Sequence, residues 1–152
     1  MPQQQNHVLA LPAEFLNSLD GLVAKHNPIP QRYESLVVDL FKEMDTAAGT
    51  LHHAATGLAG EAGEFLDASK KVWVYGKALD AKNFVEELGD LYFYWKKALL
   101  MSGLTEEQIR AYNMEKLGKR YPDGVYTDTH AQLRLDKPEE RTFFGSDTAS
   151  KE

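Results

Sequence analysis

The chain contains no cysteine. A disulfide framework and a thiolate metal site are both excluded, and the absence fits a reducing compartment, so a cytoplasmic location is expected. Long apolar runs are missing too. The most apolar stretch, Leu91 to Trp95, falls far short of the ~20 residues a membrane helix needs. The Gln-rich start, Met1 to Asn6, has no basic region followed by an apolar one and does not read as a secretory signal, so no membrane partner is expected. Positive charge is in deficit. Lys and Arg number 17 against 23 Asp and Glu, a formal net charge of −6, which argues against the broad basic face that nucleic acid requires.

What remains is ordinary globular composition: 152 residues, 43% hydrophobic and 26% charged, enough for one domain with a core. The apolar positions recur at helical spacing almost throughout. Pro12 opens a first amphipathic segment carrying Phe15, Leu16, Leu19, Leu22 and Val23, and the run Asn27-Pro28-Ile29-Pro30 ends it. A second helix carries Tyr33, Leu36, Val37, Leu40, Phe41 and Met44. A third runs from about Leu51 to Trp73, with Leu51, Ala55, Leu58, Ala62, Phe65 and Leu66 as its apolar positions, and Gly76 breaks it. A fourth spans roughly Ala81 to Met101, with Phe84, Leu88, Leu91, Trp95 and Leu99 on one stripe, closed by Ser102-Gly103. Thr105 starts a fifth, with Gln108 placed for a capping box, and Pro122-Asp123-Gly124 stops it. No strong periodicity follows. From about Lys137 the composition turns polar, which predicts a loose tail, with Phe143 and Phe144 as the exceptions that could dock. The expected fold is all-α: a bundle of about five helices around a central antiparallel hairpin, with an irregular C-terminal tail. The expected domain is 1–124, followed by a partly flexible extension, 125–152.

The acidic residues of the third and fourth helices form a pattern. Glu61 and Glu64 are three residues apart, as are Glu87 and Asp90, so each pair occupies one side of its helix. Measured from the apolar stripes at ~100° per residue, both pairs are offset to the same side. In an antiparallel hairpin equal offsets point the same way. The two pairs are also equidistant from the expected turn at Tyr75–Gly76, so all four carboxylates should meet level at one edge of the hairpin. Such a group repels itself unless protons or cations intervene. Magnesium takes oxygen ligands and joins a few carboxylates to substrate phosphates. The competing reading is a set of solvated helix-face acids, easily reached by chance among 23 acidic residues. Gly57, Gly60, Gly63 and Gly89 count against it. Each costs a helix about 1 kcal/mol relative to Ala, a cost that close helix approach or ligand approach would offset.

At these residues the chain resembles the MazG-like, all-α nucleoside triphosphate pyrophosphohydrolases. The resemblance rests on Gly57-Leu58-Ala59-Gly60-Glu61-Ala62-Gly63-Glu64, on Glu86-Glu87-Leu88-Gly89-Asp90, and on Asn113-Met114-Glu115-Lys116-Leu117-Gly118-Lys119-Arg120-Tyr121-Pro122. It covers roughly residues 52–124. It implies magnesium-dependent conversion of a nucleoside triphosphate to monophosphate and pyrophosphate, with Mn2+ as a substitute metal. It assigns Glu61, Glu64, Glu87 and Asp90 to metal and catalysis, and Asn113, Lys116 and Arg120 to substrate. It also implies a homodimer or homotetramer with sites completed near subunit contacts.

Spacing agrees on the last block, since Asn113, Lys116 and Arg120 share a helix face, and Lys and Arg both suit phosphate oxygens. Salt bridges, or a favourable place near a helix C-terminus, explain the same cations without a ligand. Lys71, beyond Glu64 on a nearby face, is a further phosphate candidate. His53, about two turns before Glu61, is a candidate for orienting water or substrate; solvated side chains are the plainer reading of both. Trp73, Tyr75, Tyr92 and Tyr94 could stack on a base, although aromatics at helical spacing are more often core. Three other classes compete. One is a non-catalytic helical module that binds metal or nucleotide as a regulator. Another is a di-iron bundle, which wants Glu-x-x-His on two helices; no Glu here has His three residues later. The third is a helical oligomerisation protein with no small-molecule site, in which replacing the acids would leave function unchanged.

Overall fold

The computed structural model of the protein describes Leu9 and residues 11–137. The expectations for Met1 to Asn6, for Phe143 and Phe144, and for the polar tail beyond Lys137 lie outside the described residues. Within them the chain is all-α, with six helices and no strand. No helix among the described residues is long and apolar enough to cross a membrane. Packing divides the chain at Gly103 into two compact units, Met1–Gly103 and Leu104–Glu152.

The first unit holds α1 (Ala13–His26), α2 (Ile29–Leu40), α3 (Ala47–Trp73) and α4 (Ala81–Ser102). α3 and α4 form the antiparallel hairpin and pack most extensively; α2 lies on α4 and α1 on α2. Pro30 in the first turn of α2 loses no needed hydrogen bond there. The second helix is shorter than its periodicity predicts. It stops at Leu40, leaving Phe41 extended and Met44 in a loop. The competing interaction is local. The Thr50 hydroxyl accepts the Met44 N–H at 2.9 Å, and the Thr46 side chain caps α3 by accepting the Gly49 N–H. That cap starts α3 four residues before the expected Leu51. Gly76, at φ +62°, turns the chain toward α4, and the Asp80 carboxylate caps α4 through the Asn83 N–H at 3.1 Å. Gly103, at φ +68°, ends α4 in the left-handed conformation that glycine adopts without strain.

Val37, Phe41, Ala54, Ala68 and Leu99 are buried here. Two buried lysines join them. Lys97 meets Glu43 at 2.6 Å and lies over the Phe41 ring, and Lys96 meets Glu34 at 2.8 Å. Both tie α4 to the chain segment of α2 and the loop after it.

The second unit holds α5 (Glu106–Arg120) and α6 (Asp128–Leu133). The expected capping box is formed: Thr105 Oγ1 accepts the Gln108 N–H, and Gln108 Oε1 accepts the Thr105 N–H. Periodicity does not predict α6, because six residues make fewer than two turns. Its start is set by Thr127, whose hydroxyl accepts the His130 N–H. Arg120 closes the unit through a bidentate pair with Asp136, both contacts at 2.7 Å.

Candidate metal centre

The contact seam of the hairpin runs through Gly57 and Tyr94, and through Phe65 and Phe84, whose ring centres are 5.5 Å apart. These pairs run in opposite directions along α3 and α4, at the level anticipated from the turn. Gly57 is required. A Cβ there would overlap the Tyr94 ring, so only glycine admits that ring against the α3 backbone.

The seam is rotated from the expected stripe. Leu51 is 50% and Leu66 66% exposed, while Thr50, Ala54 and Ala68 are buried. On α4, Leu88 is 43% exposed. Glu61 therefore lies between Gly57 and Phe65 on the packing face of α3, not at its edge, and Glu87 lies between Phe84 and Tyr94 on that of α4. The small Gly57 and Ala68 let the helices meet along this face, which turns the larger Leu51 and Leu66 outward.

Glu61, Glu87 and Asp90 converge. One carboxylate oxygen from each lies within 4.8 Å of the others, with Glu61 and Glu87 half-buried and Asp90 exposed. All three donors are hard oxygens, the set that suits a hard divalent cation and not a thiophilic one. Burial first, and then the charges of Asp90, Glu64 and Glu87, push the Glu61 carboxyl above its ordinary value. A bound cation would relieve that repulsion. The group can hold a metal ion. Glu64 stands outside it, one turn along α3 and exposed, and reaches Glu61 through its charge. Asn83, one turn before Glu87, donates from Nδ2 to Glu87 Oε1 and fixes that carboxylate. Sequence reasoning passes over Asn83, although its i, i+4 spacing to Glu87 is the signal.

The other candidates are placed as follows. Lys71 Nζ is 3.0 Å from Asp67; that hydrogen bond raises its pKa, with smaller contributions from Asp80 and Glu87. His53 is eight residues before Glu61, ~12 Å along the helix. Its Nδ1 lies 3.0 Å from the Lys42 carbonyl and its ring packs on Phe41, so it anchors the loop before α3. Asn113 and Lys116 are exposed on α5. Arg120 is committed to Asp136, which holds the Asp136 carboxyl far below the usual carboxylate range. Of the aromatic candidates, Tyr94 is in the seam, Tyr92 stacks on Trp95, and Trp73 and Tyr75 are exposed.

No family model, curated protein or solved structure matches the chain.

Proposed function

We propose that the chain hydrolyses nucleoside triphosphates, ribo- or deoxy-, to the monophosphate and pyrophosphate with magnesium as cofactor, in control of nucleotide pools. The observation that carries this reading is the convergence of Glu61, Glu87 and Asp90 from two antiparallel helices within 4.8 Å. The three blocks that resemble the MazG-like enzymes add the reaction class.

Glu61, Glu87 and Asp90 would hold the cation. When bound, the ion supplies positive charge against the phosphates and makes an attacking water more acidic. The protein's own groups divide the remaining work. Asn83 keeps Glu87 oriented, so Glu87 is less free than Glu64 to take up a proton. Glu64, outside the three-carboxylate group, accepts the proton of the attacking water. Asn113 and Lys116 are assigned to substrate on the resemblance alone. Arg120 is assigned to Asp136, and His53 to the loop before α3.

The test is a panel of ribo- and deoxynucleoside triphosphates, with and without magnesium, and products identified by chromatography. Monophosphate and pyrophosphate, dependent on magnesium and lost in Glu61→Ala, are expected. Diphosphate and orthophosphate would move the cleaved bond. Bound nucleotide and metal without turnover would favour a regulatory module.

A further inference from the structure

The last turn of α5 and the turn after it enclose a recess of about 320 Å³, lined by Leu117, Gly118, Tyr121, Gly124, Val125 and Tyr126. All six belong to the Leu104–Glu152 unit. None carries a formal charge at neutral pH, so the recess suits an apolar occupant and not an ion. Local folding makes it. The Tyr121 N–H bonds to the Leu117 carbonyl at 2.8 Å and the Gly124 N–H to the Tyr121 carbonyl at 2.9 Å, so the chain doubles back at the end of α5. Gly124, at φ +68°, takes the left-handed conformation that this reversal uses.

The walls are set in place by the fold. The Tyr121 and Tyr126 ring centres are 5.8 Å apart. The Tyr126 hydroxyl donates to Asp128 at 2.9 Å, which fixes a ring that is 57% exposed. Leu117 and Val125 are exposed beside it. At Gly118 the helix offers bare backbone, where an added methyl would meet nothing within 4 Å. Water over such a surface is released when an apolar group covers it.

The chain itself supplies that group. Asp136 is bound by two contacts of 2.7 Å to Arg120, the neighbour of Tyr121, and the Lys137 N–H bonds to the Arg134 carbonyl at 2.9 Å. The described residues therefore end next to the lining of the recess. In the sequence 138–152, Phe143 and Phe144 are the only large apolar side chains. Phe143 follows Asp136 by seven residues, a reach of up to ~23 Å at ~3.3 Å per residue. All of α5, with 15 residues, is only ~22 Å long. The pair can thus reach the recess with the Arg120–Asp136 contacts intact. Phenylalanine is among the residues most often buried, and aromatic rings pair favourably with aromatic walls.

We propose that this recess is the dock of Phe143 and Phe144 of the same chain, a clasp that covers the end of α5. It is independent of the reaction proposed at the metal centre.

The test is amide hydrogen exchange on the full chain, read at residues 118–126 and 138–152. Three variants are compared with the parent: Phe143→Ser with Phe144→Ser, Phe143→Leu with Phe144→Leu, and Gly118→Leu. The last fills the recess from α5 with a residue that helices favour and that no neighbour obstructs. Both segments should exchange at least about tenfold more slowly in the parent than in the Ser pair, the least expected for burying one such ring. The Leu pair should keep most of that protection. Gly118→Leu should release 138–152 while residues 109–113 of α5 exchange as in the parent, which shows that the helix is intact. A parent whose 138–152 exchanges as fast as in the Ser pair overturns the clasp. Protection of 138–152 that survives Gly118→Leu places the rings elsewhere and overturns it too. Protection that is unchanged on dilution upholds docking within one chain, and protection that falls on dilution assigns the rings to a second copy and refutes the clasp.

Discussion

Glu61 is the carboxylate whose surroundings most oppose its charge. Burial and three acidic neighbours raise its pKa above the usual 4.5. A raised acid pKa means that the ionised side chain destabilises the fold: the penalty is complete above the raised value and gone below the ordinary one. Without divalent cation, Glu61→Gln should therefore melt higher than the parent near neutral pH, and the difference should vanish below about pH 4. Saturating magnesium should reverse the order, because the parent gains about 2.7 kcal/mol at a hundredfold excess over Kd while the variant gains less. Thermal melts at two pH values, with and without magnesium, decide this; a parent indifferent to magnesium would remove the metal site. Asp136 has the opposite sign. Its pKa is lowered, chiefly by the Arg120 hydrogen bonds, so its stabilisation is present above the ordinary carboxylate range and lost as pH falls through the lowered value. Asp136→Asn should lower the melting of the Leu104–Glu152 unit at neutral pH, read by amide exchange in α5 and α6.

At the scale of helices, glycine divides into two kinds. Gly57→Ala drives a methyl into the Tyr94 ring and should destabilise by about 1–3 kcal/mol, the usual effect of overpacking. A methyl added at Gly60, Gly63 or Gly89 would meet nothing within 4 Å, so Gly60→Ala should stabilise the isolated fold by up to about 1 kcal/mol through helix propensity. Urea denaturation of both variants measures the contrast, and equal effects would contradict the seam. The same contrast explains what the sequence could disclose. Caps were legible because they are local: Thr105 with Gln108, Gly103 and the turn at Gly76 all act within a few residues. The antiparallel register of the acids was legible because it depends only on distance from that turn. The rotation of the seam was not. Leu51 and Leu66 have the stronger apolar side chains, yet the small Gly57 and Ala68 set the line of closest approach, and small size carries no weight in an apolar stripe. The burial of Lys96 and Lys97 has no local signal, because their partners Glu34 and Glu43 are more than fifty residues away in the chain. A salt bridge is one reading of Arg120, but its partner is hidden for the same reason: Asp136 lies sixteen residues on, across the Gly124 turn.

The first unit as a whole leaves too much apolar surface uncovered for its few buried residues. Leu51, Leu66, Leu88 and Tyr92 on the hairpin are each at least 40% exposed, alongside Leu36, Val38 and Leu40 of α2. Patches of this kind mark interaction sites. On α3 the outward residues are the periodic stripe itself, Leu51, Ala55, Ala62 and Leu66. A stripe along a long helix can meet its own copy about a two-fold axis, where each residue lies opposite an equivalent surface. The protein should accordingly sediment as a dimer or tetramer. Leu66→Glu places a charge in that stripe and should shift sedimentation toward the monomer, whereas Lys82→Glu, on the exposed side of α4, should leave it unchanged. A parent that sediments as a monomer at all concentrations would overturn the self-contact and leave the stripe to a different partner.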